Sequence, residues 1–265
     1  MDIVLWNQSP EKLDDSAGQL IADACDLQMR EDVAPAYGLR PSPRVSFLPS
    51  AVKREELPGD CLVIIFAKNS DDAVAAAGLQ AQPDPTTRDR DERRRNFGRV
   101  YPGTILGREG SVLDGARSIS AATSHECIEA TYDRNVALWV WNENEGKLFA
   151  CEVCDPVEED AYTKFVRGKD AAVSNFVYPA WFDAQAPEGS RFDHMRRLNK
   201  PFSCSEGGYF YFCDPAEVRD PEDLKDLFHF QTEPPGQQIS SQWGWGAKDK
   251  ENGFARTRLR PVWPK

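Results

Sequence analysis

The chain of 265 residues has little histidine, three in all, and no excess of positive charge. Its 43 acidic and 32 basic side chains leave a net charge of −11. Nucleic-acid binding needs a concentrated basic surface that displaces phosphate counterions, so this balance speaks against DNA or RNA as a partner. No stretch approaches the ~18 consecutive apolar residues of a membrane span, and a membrane partner is not expected either. The opening MDIVLWNQSPEKLDD has neither a basic n-region nor a long apolar h-region, so no secretory signal is expected. The seven cysteines (25, 61, 127, 151, 154, 204 and 213) are odd in number and scattered. That is not the framework of a disulfide-stapled module, and reduced thiols fit better. The close pair Cys151 and Cys154 has no second pair to complete a metal site, and it reads as buried strand or turn residues.

What is present is core material. Hydrophobic residues make up 40% and charged residues 28%, enough apolar mass to exclude global disorder. Residues 2–6, DIVLW, read as a strand. Leu13, Ala17, Leu20, Ile21, Ala24 and Leu27 then fall at helical spacing, with Ser9 as the expected N-cap before Pro10 and the Pro-rich 34–43 as the stop. Strands follow at 44–50 and 61–68, the second apolar enough to be buried on both faces. Residues 69–98 change character. The stretch QPDPTTRDRDERRRNFGR mixes six Arg with four acids and reads as a solvated insertion or a docking segment. A strand at 99–106 is expected next, with Pro102 suggesting an edge. A second helix covers 118–133, capped by Thr123 with Glu126 as its capping-box partner, or starting earlier near Ser118. VALWVW and KLFACEV, split by NENEG, give a hairpin signal. Beyond it the chain is loop-rich, with a short helical stretch at 220–230 and a tail rich in Gln, Trp and Gly.

The second helix carries the one stretch with chemistry written into it, SHECIEATYD at 124–133. Residues four apart on a helix are neighbours, so His125, Glu129 and Asp133 form a stripe that drifts only ~40° per step. An imidazole and two carboxylates on one stripe can reach a divalent cation together. Imidazole favours zinc, while the carboxylates broaden the choice to other transition metals or calcium. Glu126 lies ~100° round the helix, where a general base could reach a metal-bound water. Ala121, Ala122, Cys127, Ile128 and Ala130 place this helix in the interior, where Glu126 and Glu129 are costly unless paired. A further ligand is expected from Asp155 or Glu152 on CEVCDPVEED, ahead of Asp133 on the helix itself.

SHECIEATYD, FACEVCDPVEEDAY, VSNFVYPAWF and PFSCSEGGYFYF together resemble a family found in bacteriophages, prophages and bacteria. Its members carry a Ser-His-Glu-x-x-Glu helix, then Glu-x-Cys-Asp-Pro, Ser-Asn-Phe-x-x-Pro-x-Trp-Phe and a late Gly-Gly-Tyr. MREDVAPAYGL is similar to the family's Arg-Asp-x-x-Pro-x-Trp-Gly segment, with Tyr37 where Trp is common. The resemblance covers roughly residues 25–212. Relatives often have Gly-Tyr-His before the edge strand, where this chain reads AGLQAQ. The element order also resembles zincin metallopeptidases, whose active-site helix follows an edge strand, and by that likeness 99–106 would bind substrate.

The expected fold is therefore α+β: a zincin-like mixed sheet on two main helices, one carrying HExxE. It would occupy residues 1–200 with the insertion at 69–98, followed at 201–265 by short hairpins, a short helix and an extended Trp-rich tail. The resemblance implies a phage-encoded, zincin-like metal-dependent hydrolase of peptides, working in the host cytoplasm. Its competitor is a virion or assembly protein that keeps the shell, with a structural metal or none, and docks on capsid or tail proteins. The aromatics of VSNFVYPAWF, read as exposed, and the tail support that second expectation.

Overall fold

In the computed structural model, the described residues are 2–67, 78–81, 97–133, 138–217 and 228–232. Strand β1 (Asp2–Asn7) pairs in parallel with β2 (Val45–Leu48) on one side and β3 (Cys61–Phe66) on the other. β3 pairs in parallel with β5 (Phe97–Val100), and β4 (Gly78–Ala81) closes the sheet antiparallel to β5, giving the order β2-β1-β3-β5-β4. β1 and β3 are apolar at nearly every position because both faces of this sheet are covered. Ile3, Leu5, Leu62, Ile64 and Phe66 enter the main core, whereas Val4, Trp6, Cys61 and Val63 join Leu57 on the other side.

Helix α1 (Asp15–Gln28) starts later than the Ser9–Pro10 signal suggests. Asn7 captures that stretch: its side-chain oxygen accepts from the Ser9 N–H, and the Ser9 carbonyl accepts from Lys12 and Leu13. Asp14 caps the helix instead, accepting from the Ala17 N–H. The helical path then runs through a π-turn (Met29–Val33) into α2 (Ala34–Tyr37). Pro35 falls directly after the π-turn, near the start of α2, and does not stop the chain. Gly38, at φ +66°, does.

The strand expected at 99–106 ends at Val100, and Pro102 opens a short helix, α3 (Pro102–Gly107). β5 lies between β3 and β4, so it is an interior strand and not the open edge. The edge comes from Gly78–Ala81, within the expected insertion; of the rest of 69–98, all but 97–98 lies outside the described residues.

Helix α4 (Ile119–Tyr132) takes the earlier of the two starts considered, with Ser118 accepting from the Ala121 N–H. Thr123 is mid-helix and donates to the Ile119 carbonyl. α4 packs against α1, β3 and β5, and it is buried almost all round, polar residues included. Its far side meets β9 (Lys169–Ser174), which forms a hairpin with β8 (Ala161–Val166) that sequence patterning missed. Arg167 and Gly168 both have positive φ in its two-residue turn, the conformation such tight hairpins need.

The hairpin of β6 (Trp139–Asn142) and β7 (Lys147–Ala150) is as expected. β10 (Tyr209–Cys213) pairs with β7, and β11 (Phe228–Thr232) pairs with β10, completing a four-stranded antiparallel sheet. Of the helical stretch expected at 220–230, residues 228–230 belong to β11 and the remainder lies outside the described residues. The tail lies outside them too. The architecture is thus mixed α and β with a largely parallel sheet. The expected exposure of VSNFVYPAWF does not hold: Phe176, Val177 and Trp181 are fully buried, and Trp181 donates to the Ser203 carbonyl at 2.7 Å. Among the described residues no helix is long and apolar enough to cross a membrane.

Candidate metal centre

Two segments build the site. α4 supplies His125, Glu126 and Glu129, and the chain leaving β7 turns beneath it in a 3₁₀ turn (Asp155–Val157). Pro156 fixes the start of that turn, and residues three apart on a 3₁₀ turn eclipse one another. Asp155 and Glu158 therefore point the same way, toward His125. The imidazole Nε2 lies 3.1 Å from Glu129 Oε2 and 3.3 Å from Asp155 Oδ1, and Nδ1 lies 3.5 Å from Glu158 Oε2. His125, Asp155 and Glu158 form a group that could hold a metal ion, one ligand atom from each, all within 4.8 Å of one another.

Two of these partners are themselves held. Glu129 turns its other oxygen, Oε1, to the Cys154 backbone N–H at 3.1 Å. Asp155 accepts from the Tyr209 hydroxyl. The Cys154 thiol faces the His125 carbonyl at 3.9 Å, so it points to helix backbone and not to the imidazole.

The sequence-expected residues distribute as follows. His125, Glu129 and Asp155 come together. Asp133 stands just past the end of α4, where its backbone leaves the helical region and its carboxylate accepts from the Leu138 N–H at 2.8 Å. Glu152 is buried, but it is not among the three carboxylates that meet His125. Glu158 was missed. The signal for it was Asp-Pro-x-Glu, a proline-started tight turn that puts the first and fourth residues on one face.

Glu126 faces the sheet. A Cβ at Gly98 of β5 would lie in ordinary van der Waals contact with its Oε2, at 3.6 Å. Glu126 is 6% exposed, and its Oε2 has no hydrogen-bond partner among the described residues. An orphaned buried oxygen costs ~1–3 kcal/mol, more if charged. Glu129, Asp155 and Glu158 crowd one imidazole, and Glu126 stands next to His125 on the same helix. One imidazolium cannot neutralise so many carboxyl groups once they ionise, whereas a divalent cation suits that charge.

The titration of these groups follows from that crowding. Burial alone would lower the His125 imidazole, but Glu129, Glu158 and Asp155 outweigh it and hold it well above the usual value. Burial, opposed by His125, pushes Glu126 up to about 8, and burial likewise pushes Glu158 to about 8. Asp155 rises to about 6 through burial and the charge on Glu129. All four hold protons more tightly in the folded chain than in the unfolded one. Folded protein then binds more protons than unfolded protein between about pH 5 and pH 8, and stability falls as pH rises through that window. Urea melts of the metal-free protein should accordingly show a lower midpoint at pH 8 than at pH 5.5. A midpoint that rises instead would mean the cluster does not share protons as described.

Compared with protein-family models, with curated proteins and with solved structures, the chain matches none.

Proposed function

We propose that the chain is a zincin-like, metal-dependent hydrolase acting on peptide bonds, and that it is phage-encoded. The observation that carries this reading is the convergence of His125 Nε2, Glu129 Oε2 and Asp155 Oδ1 at 3.1 and 3.3 Å, beside a buried Glu126 with an unpartnered oxygen. Two ligands of one tetrahedral ion with bonds of ~2.1 Å stand ~3.4 Å apart, close to these separations. Zinc is the first candidate because of the imidazole, with manganese, iron or calcium admitted by the carboxylates. A bound divalent ion would supply Lewis acidity and bring the pKa of a water toward ~7. The chain's own residues do the rest. Glu126 accepts the proton of the attacking water and passes it to the leaving amine. His125, Glu129 and Asp155 would hold the ion.

A second reading has one observation in its favour, the depth of the site. The His125, Glu129, Asp155 and Glu158 side chains are 13%, 6%, 5% and 15% exposed, which suits a structural ion in a virion or assembly protein docked on capsid or tail proteins. Incubating metal-loaded protein with unfolded casein separates the two. Cleavage that stops on chelation and returns with metal supports the hydrolase. An intact substrate beside a stoichiometrically loaded protein leaves the structural reading.

A further inference from the structure

The turn that carries Asp155 and Glu158 has no helix or strand of its own to hold it. What holds it comes from far along the chain. The Ser205 N–H donates to the Pro156 carbonyl at 2.9 Å, and the Gly208 N–H closes a turn onto Ser205 at 2.9 Å. Gly208 then passes so close to the turn that a Cβ there would lie 2.2 Å from the Pro156 carbonyl oxygen and 2.6 Å from its carbon. Backbone is on both sides of that contact, so no side chain can give way. Gly207, at φ +82°, passes Glu159 as closely: a Cβ there would lie 2.5 Å from the Glu159 Cγ. Gly208 thus lets one backbone lie against another, and Gly207 leaves room for the Glu159 side chain. Directly after them β10 begins with Tyr209, 4% exposed, whose hydroxyl reaches the Asp155 carboxylate.

We propose that the Gly207-Gly208-Tyr209 segment sets the geometry of the metal centre, with Tyr209 as the positioning residue that aims Asp155 at the ion. The inference rests on the metal-binding reading above and deepens it. Asp155 has two oxygens: Oδ1 faces His125 Nε2, and a hydroxyl donating to the carboxylate restricts its rotation. Carboxylate ligands that swing freely lose affinity, and loss of such an outer partner typically weakens metal binding ~10–100-fold. The glycines act one step further out, by pressing the turn against α4. The close approach also gives the Gly-Gly-Tyr sequence a physical reason, since any side chain at 208 would push Pro156, and Asp155 with it, away from His125.

Tyr209→Phe removes one oxygen and keeps the ring. Full-length protein freed of metal by EDTA dialysis is titrated with Zn²⁺ against a competing chelator, and with Co²⁺ followed by its visible absorption. The expected result is Zn²⁺ affinity lower by ~10–100-fold, an altered Co²⁺ spectrum, and a metal-free melting temperature close to that of the unsubstituted protein. In an Asp155→Asn background, Tyr209→Phe should change neither further. Equal affinity and an identical Co²⁺ spectrum would overturn the proposal, and so would the same loss in both backgrounds, which marks a merely structural tyrosine. Failure of the unsubstituted protein to bind either ion would instead remove the metal reading itself. Should Tyr209→Phe not fold, NMR of unsubstituted protein carrying ¹³Cζ-labelled tyrosine replaces it. The Tyr209 resonance moves on Zn²⁺ addition if Tyr209 serves the site, and an unmoved resonance overturns the proposal.

Discussion

His125→Ala should abolish binding of a divalent ion and, separately, destabilise the metal-free protein by ~3–5 kcal/mol. Both effects come from one geometric fact. His125 is the hub to which Glu129, Asp155 and Glu158 all turn, at 3.1, 3.3 and 3.5 Å, from two segments of chain. In the metal-free protein a protonated imidazole is their shared counter-charge, and its removal leaves buried carboxylates facing one another. When metal is present, the imidazole is the only nitrogen ligand in the group. Its loss should exceed the ~10–100-fold weakening typical of an outer partner. Urea denaturation in EDTA measures the first effect and Zn²⁺ titration the second. A variant with unchanged stability and unchanged metal affinity would remove His125 from the centre of the account.

Glu126→Gln should leave metal binding intact and reduce peptide hydrolysis by ~10²–10⁴-fold, the usual contribution of a positioned general base. The substitution keeps the shape of a buried side chain and removes its ability to take a proton. Glu126 does not meet the His125 imidazole in the manner of Glu129, Asp155 and Glu158, so the ligand set is untouched. Replacing a buried carboxyl group by its neutral isostere also leaves the fold no worse. If Glu126→Gln loses the metal, Glu126 is a ligand and not a base. Should the variant cleave casein as fast as the unsubstituted protein, the hydrolysis belongs to another group.

Much of this arrangement could be read from the residues, and the failures have physical causes. β1, β3 and the helix through Leu20, Ile21 and Ala24 were legible because their apolar runs are long and periodic. Pro102 misled because a proline suits an edge strand and a helix first turn equally, and only the pairing of β4 with β5 decides which. β4 itself adjoins an Arg-rich stretch that carries no strand signal. The β8–β9 hairpin escaped because AYTKFV and KDAAVS alternate weakly and turn at Arg167, a residue seldom found at positive φ. In the site, spacing on a helix brought His125 and Glu129 together, and acidity near Cys154 pointed to Asp155. Asp133 lay on the same stripe only while the helix continued, and the helix ends at Tyr132. Glu158 needed the tight-turn geometry after Pro156, and Tyr209 needed a tertiary contact from over 50 residues away, which no local pattern encodes.

The most direct test of the central claim is elemental analysis of the purified full-length protein by plasma mass spectrometry, paired with its melting temperature in EDTA. The expected result is about one divalent ion per chain, lost on chelation with a fall in melting temperature and regained with Zn²⁺. Protein that carries no stoichiometric metal, takes none up and melts at the same temperature with and without EDTA would contradict it.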